Sequence, residues 1–206
     1  MKIIREMMPQ DNEAMAKIIV TVLAEHGFKD ERTGGYDINN LPPKIKELFS
    51  YIYRQGGKFF VVEETDTRTV LGGGGFLPRI TSSLCSNHYG FFSRDNCRKV
   101  CELEKFYFLP EIRGTGLASQ LMDKIQTTAI NQGYQAMYIE TEPSLERAHH
   151  FYEKMGFTRT PVTKENTTSF FKWLEQISIN DPDVQTKRKP WEINFRSSTT
   201  QLSRLI

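Results

Sequence analysis

The chain has 206 residues, of which 38% are hydrophobic and 25% charged, enough for one domain with a sizeable core and an appendage. Its formal net charge of +2, with no basic stripe before residue 170, offers no electrostatic footprint for nucleic acid. No window nears the apolar length that spans a bilayer, residues 1–6 carry no apolar signal core, and three cysteines fit reduced thiols better than a disulfide framework; the expected setting is cytoplasmic, without a membrane partner.

Residues 2–6 read as a short strand. Pro9, Gln10 and Asp11 open a helix that sets Ala14, Ile18, Ile19, Val22 and Leu23 on one face and stops at Gly27. Pro42 and Pro43 open a second helix, with Ile45, Leu48, Phe49 and Ile52 at helical spacing and Gly56 and Gly57 at its end. Residues 58–63 read as a strand, 65–68 as a turn and 69–77 as the antiparallel partner. Gly72, Gly73, Gly74 and Gly75 fall inside that partner, where they forfeit packing and backbone entropy. Such a run points to close approach of another backbone, a bulge or a ligand, or else to an edge irregularity.

Residues 79–99 are a polar, irregular excursion. The next strand, 101–108, alternates so that Glu102, Glu104, Phe106 and Phe108 share a face. After Gly116 a helix carries Leu117, Leu121, Met122, Ile125 and Ala129 inward and ends near Gly133, and residues 135–141 form another strand. A right-handed crossover of this β-α-β unit sets its two strands in parallel, with the turn at 113–118 at their carboxyl end. The last helix, 145–155, clusters Ala148, Phe151, Tyr152 and Met155 before Gly156, and residues 157–159 and 167–174 close the sheet. No internal repeat is present.

The turn itself carries chemistry. Phe106 to Pro110 run into Arg113-Gly114-Thr115-Gly116-Leu117-Ala118, a glycine-bearing turn that opens a helix. The first N–H groups of a helix lack internal partners and sit at the positive end of the dipole, so an anionic phosphate is welcome there. Gly114 and Gly116 remove Cβ atoms that would hold a pyrophosphate off the backbone, and Arg113 adds a cation with a donor fork. A P-loop is excluded by the missing Gly-Lys-Ser/Thr, and a dinucleotide fingerprint needs a third glycine that this turn lacks.

Together with Phe151-Tyr152-Glu153-Lys154-Met155-Gly156-Phe157 downstream, this turn resembles that of the Gcn5-related N-acetyltransferase (GNAT) superfamily. The family's pyrophosphate pattern is met by Arg113, Gly116 and Ala118, and the resemblance covers about residues 1–174, leaving 175–206 as an extension of unknown role. It implies an α/β fold with a mixed, mostly antiparallel twisted sheet flanked by helices, in which two parallel central strands splay apart. It also implies acetyl-CoA as co-substrate, no metal, and direct attack by a primary amine on the thioester.

On that resemblance, the backbone of Phe106, Tyr107 and Phe108 would hold the pantetheine arm and one of its N–H groups would stabilise the oxyanion. The N–H groups from Gly114 through Thr115, Gly116 and Leu117 to Ala118 would take the pyrophosphate. An amine with a pKa near ~10.4 needs a base, and the departing thiolate benefits from an acid. Tyr152 matches the family's acid; the alternative is a core tyrosine beside Phe151. Glu102, preferred, and Glu104 compete as base, against the alternative of a salt-bridged carboxylate pair; Glu140 and Glu142 are lesser candidates. Where many relatives carry an asparagine this chain has Leu145, and Ser144 is expected to cap the last helix.

The favoured acceptor is a small amine or amino-acid derivative, because no peptide-binding appendage is evident. The alternatives are a protein amine, or a non-catalytic acyl-CoA-binding module. The resemblance also leaves room for a homodimer. Cys85, His88, Cys97 and Cys101 could in principle ligate zinc, but their spacing matches no common module. His149 and His150 could serve as ligands or catalytic bases, but paired histidines on an exposed helix face read first as solvated residues. Beyond residue 174 periodicity is lost, apart from the alternating Trp191, Ile193 and Phe195.

Overall fold

The computed structural model describes residues 1–27, 41–79, 100–160 and 167–174. Within them the chain runs β1 (Lys2–Glu6), α1 (Asn12–Glu25), α2 (Pro43–Lys46), α3 (Leu48–Tyr53), β2 (Lys58–Glu64), β3 (Thr69–Pro78) and β4 (Val100–Phe108). It continues with α4 (Leu117–Asn131), β5 (Ala136–Thr141), α5 (Glu146–Lys154), β6 (Thr158–Arg159) and β7 (Thr168–Trp173). The strands form one seven-stranded sheet in the order β1-β2-β3-β4-β5-β7-β6. Every pairing is antiparallel except β4 with β5.

The helices follow the sequence periodicity closely, with one break. A helix expected to run unbroken after Pro42 is two short pieces, parted at Glu47 with φ −114° and ψ 43°. Asn12 Oδ1 accepts the Phe49 N–H at 2.8 Å, which supplies a free N–H of α3 with a partner from α1.

Both faces of the sheet are covered. Phe60, Val62, Leu103 and Phe108 point to one face and pack with Leu121, Met122 and Ile125 of α4 and Tyr152 of α5. Phe59, Val61 and Leu77 point to the other and pack with Met15, Ile18 and Ile19 of α1 and with Leu48 and Ile52 of α3. Burial on both sides explains why β2 is continuously apolar rather than alternating.

The glycine run of β3 serves both faces. A Cβ at Gly72 would lie 2.6 Å from the Phe108 ring and one at Gly74 2.5 Å from the Phe106 ring, on the α4 side. A Cβ at Gly73 would lie 2.9 Å from Met15 Sδ, and one at Gly75 2.2 Å from the Lys58 carbonyl oxygen, on the α1 side. The run is therefore a close approach of rings and backbone from neighbouring strands, in the interior of the sheet rather than at its edge.

Strand β4 corrects the expected alternation. The β3–β4 register passes from Gly73↔Tyr107 to Gly75↔Glu104, so Lys105 and Phe106 together oppose Gly74. Lys105 sits in this bulge with φ 52°, in the left-handed region that side chains disfavour. One extra residue reverses the alternation. Phe106 and Phe108 consequently join Cys101 and Leu103 on the α4 face, while Tyr107 packs on the α1 face, the side on which Glu104 opposes Gly75. The glutamates and the two phenylalanines do not share a face.

The excursion after Arg79, the extension after Leu174, and Cys85, His88, Cys97, Trp191, Ile193 and Phe195 lie outside the described residues. Cys101 is a free thiol buried in β4, with Sγ 3.5 Å from the Ala136 carbonyl oxygen.

Candidate active site

Parallel strands β4 and β5 pair only at Val100↔Ala136, Cys101↔Met137 and Glu102↔Tyr138. Beyond that last rung the strands part. On the β5 side, Phe106, Tyr107 and Phe108 therefore border a gap, while their other edge stays paired with β3. On the α4 face of the sheet, Phe106 stacks on Phe151 with centroids 5.5 Å apart and meets Phe108 edge-on at 4.8 Å, and Phe151 meets Tyr152 at 5.8 Å.

At the carboxyl end of β4 the chain makes the anticipated turn. Gly114 and Gly116 adopt φ 77° and 86°, with open space where a Cβ would stand. The left-handed conformation, rather than crowding, is what requires glycine here. Gly116 is the N-cap of α4 and no side chain caps the helix; the first turn closes with Gln120 N–H donating to the Gly116 carbonyl at 3.1 Å. The amides of Leu117 and Ala118 thus stand at an uncapped helix start, suited to an anion. Thr115 Oγ1 donates instead to the Ile112 carbonyl at 2.7 Å, and so braces the turn.

The donor fork of Arg113, expected to serve the pyrophosphate, is engaged within the protein. Its Nε donates to the Phe108 carbonyl at 2.9 Å and its Nη2 lies 2.7 Å from Glu25 Oε2 at the end of α1. The guanidinium ties α1 to the end of β4, and the backbone of the turn is left as the anion-receptive part.

Tyr152 is 6% exposed, ringed by Phe151, Phe157 and Phe170, and its hydroxyl makes no hydrogen bond among the described residues. Burial, and to a smaller degree the Tyr107 hydroxyl, push its pKa well above the ordinary phenol value. It stays protonated throughout the neutral range.

The two glutamates have different company. Glu102 Oε2 lies 2.5 Å from Nη1 of Arg79, whose Nη2 reaches Glu140 Oε1 at 3.3 Å. Burial raises the Glu102 pKa, Arg79 opposes the rise, and Glu140 and Glu104 add to it, leaving the carboxyl above its ordinary value. Glu104 Oε2 accepts from Lys105 Nζ at 3.0 Å. Burial pulls the Lys105 pKa down, but Glu104's charge and hydrogen bond, with Tyr107 and Tyr51, more than restore it.

Two expectations around α5 change. His149 is 5% exposed, with Nε2 3.0 Å from the Glu142 carbonyl oxygen, so it anchors the loop after β5 rather than standing in solvent. Ser144 does not cap α5: the N-cap is Leu145, without a side-chain hydrogen bond. Glu142 is exposed. Arg79 was not singled out by the sequence because nothing local marks it; only strand register brings it to Glu102 and Glu140.

A separate cleft of about 590 Å3 lies between α1 and the β1–β3 side of the sheet, and none of the expected site residues lines it. Its wall includes the half-buried Arg5, whose Nη1 is 2.7 Å from Asp11 and whose Nε donates to Glu63 at 2.7 Å. Among the described residues no His/Cys/Asp/Glu group could hold a metal ion, and no helix is long and apolar enough to cross a membrane.

A mixed sheet whose parallel strands part above an uncapped, glycine-turned helix defines the class: an α/β fold with an anion-receptive turn at the mouth of an open strand pair. Residues 25–157 match the profile of the Acetyltransferase (GNAT) family, and the chain belongs to that family, as an acyltransferase. The uncharacterized N-acetyltransferase YjgM of Escherichia coli is 35% identical over 155 residues, covering 75% of this chain and 81% of that protein. A GNAT-family acetyltransferase structure from Staphylococcus aureus aligns with a TM-score of 0.66 at 17% identity, over 85% of this chain and 100% of that one. The PaiA N-acetyltransferase of Thermoplasma acidophilum, solved in complex with coenzyme A, aligns with a TM-score of 0.62 at 15% identity, over 84% and 99%.

Proposed function

We propose that the chain transfers the acetyl group of acetyl-CoA to a primary amine, with a small amine or amino-acid derivative as the acceptor. The observation that carries this reading is the continuity of the parted β4–β5 pair with the uncapped turn before α4. An extended ligand with a pyrophosphate at one end matches both features at once. The coenzyme A bound by the PaiA relative supports the same choice. Acetyl-CoA supplies an activated acyl group as a thioester.

In this reading the amides from Gly114 to Ala118 hold the pyrophosphate and the β4 backbone from Phe106 to Phe108 holds the pantetheine arm. Glu102 takes the proton of the incoming ammonium, a role favoured by its raised basicity and its place at the last paired rung. Glu104 is the second candidate, engaged by Lys105. Tyr152 returns a proton to the departing thiolate. Burial keeps that proton in place but weakens the phenol as an acid, so the developing negative charge on sulfur must draw it across.

The test is acetyl transfer over a panel of amines, amino acids and peptides, read by thiol release, with Tyr152→Phe beside the wild type. Retained acetyl-CoA binding with a turnover loss of about 100-fold or more in Tyr152→Phe is expected of a general acid. Wild-type turnover confined to peptides would replace the small amine by a protein amine. No turnover on any panel member, with acetyl-CoA still bound, would overturn catalysis in favour of a binding module.

A further inference from the structure

Arg79 follows β3 directly, and its backbone N–H donates to the Val100 carbonyl at 2.9 Å, fixing it beside the start of β4. Its guanidinium then lies between carboxylates of two strands, Glu102 on β4 and Glu140 on β5. The guanidinium carbon sits 3.8 Å from the centroid of Tyr138, the residue that pairs with Glu102 in the last rung before the strands part. The Tyr138 hydroxyl is in turn 2.7 Å from Ser169 Oγ on β7. At 15% exposure the Arg79 side chain is largely withdrawn from water, where its charge acts strongly on its neighbours.

We propose that Arg79 is a positioning residue for acceptor deprotonation: it brackets β4 and β5 at the vertex of the gap, holds Glu102 in one orientation there, and shares its charge with Glu140. The inference rests on the reading of Glu102 as the base. A planar fork suits this task because its two terminal nitrogens serve two carboxylates at once.

The groups that face Glu102 are Arg79 beyond β3, Glu104 with its Lys105 partner on β4, and Tyr138 and Glu140 on β5. Arg79 favours the ionised form of Glu102, and Glu140 disfavours it. Removing either charge therefore moves Glu102 in opposite directions. A residue that merely supports the fold would lower activity in both variants without a signed shift.

The experiment follows the Glu102 carboxyl by 13C NMR titration, and the acid limb of kcat/KM with an amine accepted in the panel, in wild type, Arg79→Met, Arg79→Lys, Glu140→Gln and Glu102→Gln. Arg79→Met should move both readouts up by about one pH unit, Glu140→Gln should move them down, and Arg79→Lys should restore most of the wild-type position. Shifts of one sign, or none, in variants whose Glu102→Gln counterpart is inactive would overturn the bracket. Full turnover by Glu102→Gln would instead overturn the base assignment, with the NMR titration still deciding whether Arg79 and Glu140 act on Glu102. Should Arg79→Met not fold, Glu140→Gln carries the sign alone, and an absent or upward shift refutes the inference.

Discussion

Gly75→Ala should destabilise the chain through backbone collision. The added Cβ would stand 2.2 Å from the Lys58 carbonyl oxygen, 2.7 Å from Phe59 Cδ2 and 2.8 Å from Phe59 Cα. Carbon contacts settle near about 3.5 Å, so the β2–β3 rung must open by about 1 Å. No rotamer change relieves a clash with a carbonyl oxygen and a Cα. Overpacking of this kind costs about 1–3 kcal/mol, here toward the upper end, against about 0.4–1 kcal/mol returned by the stiffer unfolded chain. A net loss of about 2 kcal/mol lowers the melting temperature by about 4–8 °C in a chain of this length. Gly74→Ala is the internal contrast. Its Cβ would meet the Phe106 ring at 2.5 Å, and a ring can move. The displaced ring would leave its stack on Phe151, so this variant should melt closer to wild type but bind acetyl-CoA more weakly. Thermal melts and calorimetric titration with acetyl-CoA read the two effects. A Gly75→Ala protein that melts at or above the wild-type temperature would refute the steric reading of the glycine run.

Arg68→Gly should raise the melting temperature. Arg68 holds φ 60° in the β2–β3 turn, glycine relieves that strain, and the net gain is about 0.5–1 kcal/mol. The lost pairing with Glu63, at 3.9 Å from an Arg68 side chain 81% exposed, contributes little; a lower melting temperature would contradict this. Asp11 should confer acid sensitivity. Burial lifts its pKa, but hydrogen bonds from Arg5 and the Met8 N–H, with the Arg5 charge, outweigh burial and hold it below the ordinary aspartate value. A carboxyl depressed in the folded state stabilises it above the unfolded value of about 3.9, and that contribution is lost as pH falls through the folded value. Melting temperatures between about pH 2.5 and 7 should fall more steeply for wild type than for Asp11→Asn, and parallel curves would refute the linkage.

The sheet and its helices were legible because apolar spacing distinguishes two-residue from helical periods and glycines mark the stops, as at Gly27, Gly56 and Gly133. The turn before α4 was legible for a local reason: Gly114 and Gly116 take the left-handed conformation that a glycine in the sequence announces. The parity of β4 was not. A bulge at a lysine carries no composition signal, since Lys105 takes a conformation usually left to glycine or asparagine. His149 was misread because a buried imidazole needs a carbonyl partner, here Glu142, that only the folded loop supplies. Arg79 stayed invisible for the same reason: its partners are 23 and 61 residues away in sequence.

The bulge is also what separates the two halves of the proposed chemistry. Strict alternation from Glu102 onward would put Phe106 and Phe108 beside the glutamates and turn Tyr107 to the α4 side. Instead, the extra residue sends both phenylalanines to the α4 side, where Phe106 stacks on Phe151 of α5, while Glu104 opposes Gly75 on the α1 side and Tyr107 packs there. The aromatic side chains and the glutamates proposed for proton transfer therefore occupy opposite faces of one strand. The cost of a left-handed lysine, about 1–2 kcal/mol, is offset at the same residue by the Lys105 ammonium 3.0 Å from Glu104. Strain, charge pairing and the reversal of faces are thus three consequences of one inserted residue. The bulge falls in the middle of β4, after the last rung shared with β5 and before the turn proposed to hold the pyrophosphate.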